Sequence, residues 1–291
     1  MQMHHGFLFR PAAMPRNEPG VLLSVTPDDA GWEGPGFSVR RLAAGDAWAG
    51  NTGPDEVAII VLGGRLTMDW GDGARAIGTR EHVFAGFPFA VYLPPRTSFE
   101  VHAETLVELA EARAASRLAL RPRVIAPADV ECEVRGGGSM TRQISRIIKP
   151  EHEADRLMIN EVYTPGGNWS SYPPHKHDTR NPPHELAMDE FYYFRTDHPD
   201  GYGLLRQYNS AGTEDDTVTV RDGDLVALRK GYHLVAAPPG YNLYYLAVLA
   251  GVTRSMAAST DPKYAHVGKD QGPADPRVPL VGRDYTGAHL L

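Results

Sequence analysis

His175 and His177 flank Lys176 directly after Tyr172-Pro173-Pro174. In an extended segment alternate side chains share a face, so the two imidazoles aim together and Lys176 aims away. The prolines favour that extended approach. Glu190 heads an aromatic run, Glu190-Phe191-Tyr192-Tyr193-Phe194, and His233 closes Arg229-Lys230-Gly231-Tyr232-His233. Three imidazoles and one carboxylate suit one divalent ion of the zinc, manganese, iron or nickel kind, with room left for a substrate. Other donors fit less well. Asp189 must face away from Glu190 in a strand, and His184 and Glu185 follow Asn181-Pro182-Pro183 in a loop. His4, His5, His82, His102 and His152 show no ligand spacing and read as ordinary surface or core histidines.

The elements that must carry these residues are strands. Short apolar runs recur at Val57–Leu62, Arg142–Ile148, Leu157–Tyr163, Phe191–Arg195, Leu204–Tyr208, Thr217–Val220 and Leu243–Leu249, with glycine-rich turns such as Gly71-Asp72-Gly73 between runs. With 30 glycines and 24 prolines this predicts an all-β sandwich or barrel. Leu106–Leu120 is rich in Ala, Glu, Arg and Leu and predicts either a helix or, in its first half, a strand paired to Phe99–His102. The 291 residues are 42% hydrophobic, enough for a real core. The balance of 29 basic and 36 acidic residues gives −7 with no basic cluster, which argues against nucleic acid and anionic membranes. No apolar run reaches membrane-spanning length, and Met1–Gly20 lacks the apolar core of a signal peptide. A single cysteine, Cys132, excludes an internal disulfide and a cysteine-based zinc site, so a cytoplasmic protein is expected.

The two halves resemble each other. Asp55-Glu56-Val57-Ala58-Ile59-Ile60 matches Asp189-Glu190-Phe191-Tyr192-Tyr193-Phe194, and Leu93–Phe99 matches Leu228–Leu234. Ser98 then stands where His233 does, and no histidine precedes Glu56 in Ala43–Asp55. A tandem duplication is expected, with residues 1–135 forming a scaffold copy and 140–291 the metal-binding copy, split at Gly136-Gly137-Gly138-Ser139.

The stretch Asn168-Trp169-Ser170-Ser171-Tyr172-Pro173-Pro174-His175-Lys176-His177-Asp178 resembles the signature of the 5-deoxy-glucuronate isomerase family of inositol breakdown. So do Glu190-Phe191-Tyr192-Tyr193, Gly231-Tyr232-His233, Ala236-Ala237-Pro238-Pro239-Gly240-Tyr241 and the opening Ala30-Gly31-Trp32-Glu33. The resemblance implies a bicupin, two tandem double-stranded β-helix barrels, related to the 4-deoxy-threo-hexosulose-uronate ketol-isomerases. It implies one divalent metal per chain held by His175, His177, Glu190 and His233. Departures are Arg229 where proline is common, His184-Glu185-Leu186-Ala187 in the loop, and Ala265-His266-Val267 near the end.

The implied reaction turns an aldose acid into a ketose acid, so a base must move a proton from C2 to C1. Asp178, Glu185, Tyr193 and Tyr245 are the candidate bases, beside a metal-bound hydroxide. Arg206, Lys176 and Arg180 are candidates to hold the substrate carboxylate, arginine offering two-pronged geometry. Two other readings remain open: an Fe(II) cupin dioxygenase built on the same ligands, and a non-catalytic sugar-binding bicupin. The expected partner is a small sugar acid, and the sequence is compatible with a homo-oligomer.

Overall fold

The computed structural model describes residues 7–11, 18, 20–228, 230–267, 269 and 271–282. His4, His5 and Arg229, weighed above, lie outside the described residues. Helix among the described residues amounts to one turn, Pro27–Ala30, and a few 3₁₀ turns. The other regular elements are strands. In chain order the first strands are β1 (Leu8–Phe9), β2 (Val21–Val25), β3 (Gly36–Leu42), β4 (Ala47–Asn51), β5 (Asp55–Gly63) and β6 (Leu66–Asp69). Then come β7 (Arg75–Ile77), β8 (Ala90–Leu93), β9 (Ser98–Ala103), β10 (Val107–Ala115) and β11 (Arg123–Ile125). The later strands are β12 (Glu131–Arg135), β13 (Arg142–Ile148), β14 (Leu157–Thr164), β15 (Trp169–Lys176), β16 (Asp189–Thr196) and β17 (Tyr202–Tyr208). The last are β18 (Asp215–Arg221), β19 (Leu225–Leu228), β20 (Tyr232–Ala236), β21 (Leu243–Ala250) and β22 (Ser259–Thr260).

Four antiparallel sheets result. One runs β11-β8-β5-β10-β3-β2 and its smaller companion β4-β9-β6-β7. The others run β1-β19-β16-β21-β14-β13-β12 and β18-β17-β20-β15-β22. The cores repeat strand for strand: β8-β5-β10-β3-β2 has the order of β19-β16-β21-β14-β13, and β4-β9-β6-β7 that of β15-β20-β17-β18. Two copies of one jelly-roll topology explain the internal resemblance of the sequence. In the first copy alternating inward residues build the core: Val57, Ile59, Val61, Leu66, Met68, Val91, Phe99, Val101 and Leu109 form one buried cluster.

The two compact units differ from the expected 1–135 and 140–291 at their edges. One holds the residues up to Arg10 with Cys132–Arg146 and Ile159–Leu280; the other holds Pro11–Glu131 with Ile147–Met158 and the C-terminal end. Strand pairing gives the reason for the first: β1 and β12 are the two edge strands of the seven-stranded sheet. A buried carboxylate gives the reason for the second. Glu56 Oε1 accepts from the backbone N–H of Arg156 at 2.6 Å and of Leu157 at 2.7 Å. Its Oε2 accepts from Asp155 N–H at 2.7 Å and from the Tyr92 hydroxyl at 2.8 Å.

Leu106–Leu120 takes the strand alternative, with partners other than those expected. Val107–Ala115 is a strand, and it pairs with β3 and β5 rather than with Phe99–His102. Its Ala, Glu and Arg content favours helix in isolation, but Val107 and Leu109 join the core cluster while Ala110 and Ala112 are buried on the opposite face, and burial overrides propensity.

Candidate metal centre and its cavity

His175 and His233 lie directly opposite each other on β15 and β20. The approach to His233 depends on Gly231, whose φ is +113° and where a Cβ would collide with the Tyr208 carbonyl oxygen. His177 follows β15, two residues beyond His175, as the alternation requires. One ring nitrogen from each of His175, His177 and His233 falls within 4.8 Å of the others, and no other such group of three occurs among the described residues. Glu190 opens the face of β16 that looks toward them: its Oε2 is 2.9 Å from His177 Nε2 and 3.6 Å from His233 Nε2.

Each imidazole is oriented by a backbone carbonyl. His177 Nδ1 donates to the Met188 carbonyl at 3.0 Å. His175 bonds the Ser171 backbone and His233 the Gly231 backbone. That fixes the tautomer and leaves the other nitrogen aimed at the common centre. His233 Nε2 is buried and has no hydrogen-bond partner. A buried nitrogen without a partner is costly unless something else binds it. This orphan, the converging nitrogens and the adjacent carboxylate fit a divalent cation with nitrogen and oxygen ligands.

The electrostatics agree. Burial, reinforced by the His177 and Arg142 charges, lowers the His175 pKa to about 3. Burial and the two neighbouring imidazoles hold His233 well below the ordinary range. Both are therefore neutral, the form that ligates. Burial opposes a charge on His177, but Glu190 outweighs it and raises that pKa. Burial raises Glu190 as well, against the pull of His177.

The first copy lacks this chemistry at the same topological place. Asn51 on β4 lies opposite Ser98 on β9, as His175 lies opposite His233, and the two form a 2.8 Å hydrogen bond.

A cavity of about 240 Å³ opens onto His175, His177 and Glu190. Its inner wall comes from the seven-stranded sheet: Arg142 and Ile144 on β13, Asn160 and Val162 on β14, Tyr192 on β16, Tyr245 on β21. Ser171 on β15 holds two phenols, with Oγ 3.0 Å from the Tyr192 hydroxyl and 3.2 Å from that of Tyr245. Ser171 sits at φ +51°, a strained conformation of the kind found at functional sites. Burial raises the pKa of both phenols, so both stay protonated.

The remaining expected site residues are placed as follows. Tyr245 lines the cavity; Tyr193 does not. Tyr192 lines it instead, because it shares a face with Glu190 at period two. That parity was available from the sequence. Lys176, Asp178 and Glu185 form an ion cluster off the cavity: Lys176 Nζ lies 2.6 Å from Asp178 Oδ1 and 2.8 Å from Glu185 Oε1. Asp178 Oδ2 accepts from Gly231 N–H at 2.7 Å, and Glu185 Oε1 accepts from Thr179 N–H at 2.9 Å as well. These three residues brace the ligand loop, because Gly231 and His177 adjoin them. Arg206 faces away from the cavity, pairing two-pronged with Asp215 at 2.7 Å for each contact. Its neighbour Gln207 is the residue opposite His233. Arg180 and His184 are exposed in the loop. The sequence reading missed Arg142, Asn160 and Ser171, of which only Ser171 lay within a quoted motif.

The KduI/IolB family profile matches residues 7–267. The chain is 40% identical over 254 residues to the 5-deoxy-glucuronate isomerase of Geobacillus kaustophilus (strain HTA426), covering 85% of this chain and 91% of that one. It is 36% identical over 231 residues to the 5-deoxy-glucuronate isomerase of Bacillus subtilis (strain 168), covering 78% and 85%. Among solved structures, an IolB-like protein from Salmonella typhimurium LT2 superposes with a TM-score of 0.85 at 35% identity, over 90% of this chain and 98% of that chain. Oxalate decarboxylase from Lactobacillus farciminis shares the fold alone, with a TM-score of 0.64 at 11% identity over 89% of each chain. The repeated jelly roll is the cupin fold, and with this likeness along nearly all its length the chain belongs to the KduI/IolB family.

Proposed function

We propose that the chain is a metal-dependent ketol-isomerase that converts 5-deoxy-glucuronate to 5-dehydro-2-deoxy-gluconate. The observation that carries this reading is the convergence of three imidazoles, two of which line with Glu190 a cavity also walled by phenol hydroxyls, in a chain whose relatives are named for that activity. His175, His177, His233 and Glu190 would hold one divalent cation. When bound, such a cation polarises a carbonyl and acidifies the neighbouring C–H bond. The chain's own groups do the rest. The reaction moves one proton from C2 to C1 and one from O2 to O1, so negative charge develops on both oxygens on the way. Tyr192 and Tyr245 present neutral phenols, fixed by Ser171, as donors to that charge. Apolar neighbours Ile144, Val162 and Leu249 keep the wall dry.

The test is an isomerase assay on 5-deoxy-glucuronate with oxygen uptake followed in parallel. Ketose formation without oxygen consumption is expected; stoichiometric oxygen uptake would replace the isomerase by a dioxygenase. The parity of β16 adds a second expected result. Tyr192→Phe should lower turnover roughly ten- to a hundredfold, as loss of a positioned donor does. Tyr193→Phe should leave turnover within about twofold. Equal effects would mean that the phenols serve packing alone.

A further inference from the structure

Arg142 opens β13 and is only 9% exposed, yet no carboxylate pairs with it among the described residues. Its Nη1 donates to two carbonyls, of Met140 at 3.2 Å and Tyr172 at 3.3 Å. The acid near it, Glu133, is taken by Arg135 at 2.7 Å and by Arg146. Burial lowers the Arg142 pKa, and the surrounding groups do not restore it. A buried guanidinium without a counter-ion is costly, and proteins keep such groups where a ligand completes the pair.

Its position says which ligand. Arg142 lines the same cavity as His175, His177 and Glu190. Its charge is felt by His175, Tyr192 and Tyr245, so it stands near the reacting end without being a ligand there. The two carbonyls that hold Nη1 fix the plane of the guanidinium. The geometry points to Arg142 as the anchor for the substrate's carboxylate, the group that makes the site select a sugar acid over a neutral sugar. This inference rests on the isomerase reading for its substrate, and it reassigns the role expected of Arg206. Arginine suits the task because its planar fork matches a carboxylate in two bonds.

The experiment compares metal-loaded wild type, R142M, R142K and R206M on two compounds: 5-deoxy-glucuronate, and the neutral sugar with CH2OH in place of the carboxylate. For R142M, KM for the acid should rise about ten- to a hundredfold, the worth of a charge-assisted hydrogen bond. For the neutral sugar it should change by less than about threefold on the same scale. R142K should fall between, keeping charge but not the fork, and R206M should match wild type on the acid. Loss of both compounds alike in R142M and R142K, or an acid-selective loss in R206M, would overturn the assignment. Calorimetric binding of glucuronate and glucose supplies a readout independent of turnover. If wild type isomerises neither compound, the isomerase reading fails. The anchor then stands when wild type binds glucuronate over glucose and R142M does not, and it falls when the two proteins bind them alike.

Discussion

His233→Ala is expected to remove the metal and nearly all turnover while leaving the barrel folded. His233 Nε2, a candidate ligand nitrogen, is buried with no hydrogen bond to lose, so truncation relieves a buried orphan as it deletes a ligand. The fold should tolerate this. Strand pairing and the burial of residues such as Phe191, Val235 and Tyr244 carry its stability, not one side chain. Wild type should contain about one equivalent of divalent metal, and the variant almost none after dialysis, because a three-donor remnant binds far more weakly. Turnover should fall on the order of a thousandfold, the scale lost when a site's main electrostatic stabiliser goes. Elemental analysis, circular dichroism and the isomerase assay check this together. Two equivalents in wild type would place a second ion in the other copy, and near-native turnover in metal-free His233→Ala would remove the metal from catalysis.

Glu56→Ala should be the most destabilising single substitution in the first copy. The carboxylate accepts four hydrogen bonds, three of them from consecutive backbone N–H groups. Truncation strands those donors in a buried or half-buried setting, at about 1–3 kcal/mol for each donor that water does not reach. A net loss of about 4 kcal/mol should lower Tm by roughly ten degrees in a chain of this size. Glu56→Gln should cost about half as much, because its NH2 would face two donors while its remaining oxygen still serves the other two. Thermal unfolding measures both. A drop of less than about two degrees for Glu56→Ala would show that water replaces the carboxylate.

Much of this molecule was legible as sequence, for identifiable reasons. Strands β13, β14, β16, β17 and β21 announce themselves because aromatic and β-branched residues run between glycine turns. Strand β10 does not, because its alanines and glutamates prefer helix and only the barrel interior decides otherwise. The histidines could be found because a ligand pair on one strand must follow period two. Arg142 could not, because it enters the cavity through the order β16-β21-β14-β13, a tertiary fact with no local signature. Arg206 misled because its residue type fits the chemistry, whereas the face it occupies is set by pairing with Thr217 and Leu234.

The exchange of edge strands has a practical consequence for dissecting the protein. A cut in the glycine run Gly136-Gly137-Gly138, where composition invites it, would yield a fragment from residue 140 that carries every candidate metal ligand. That fragment would lack β1 and β12, the strands that border the seven-stranded sheet. The outward backbone N–H and C=O groups of β19 and β13 would then be open on both sides, a template for edge-to-edge association. The copy that carries the candidate ligands is thus better expressed within the full chain, or with Leu8–Phe9 and Glu131–Arg135 grafted back, than excised at its most flexible-looking joint.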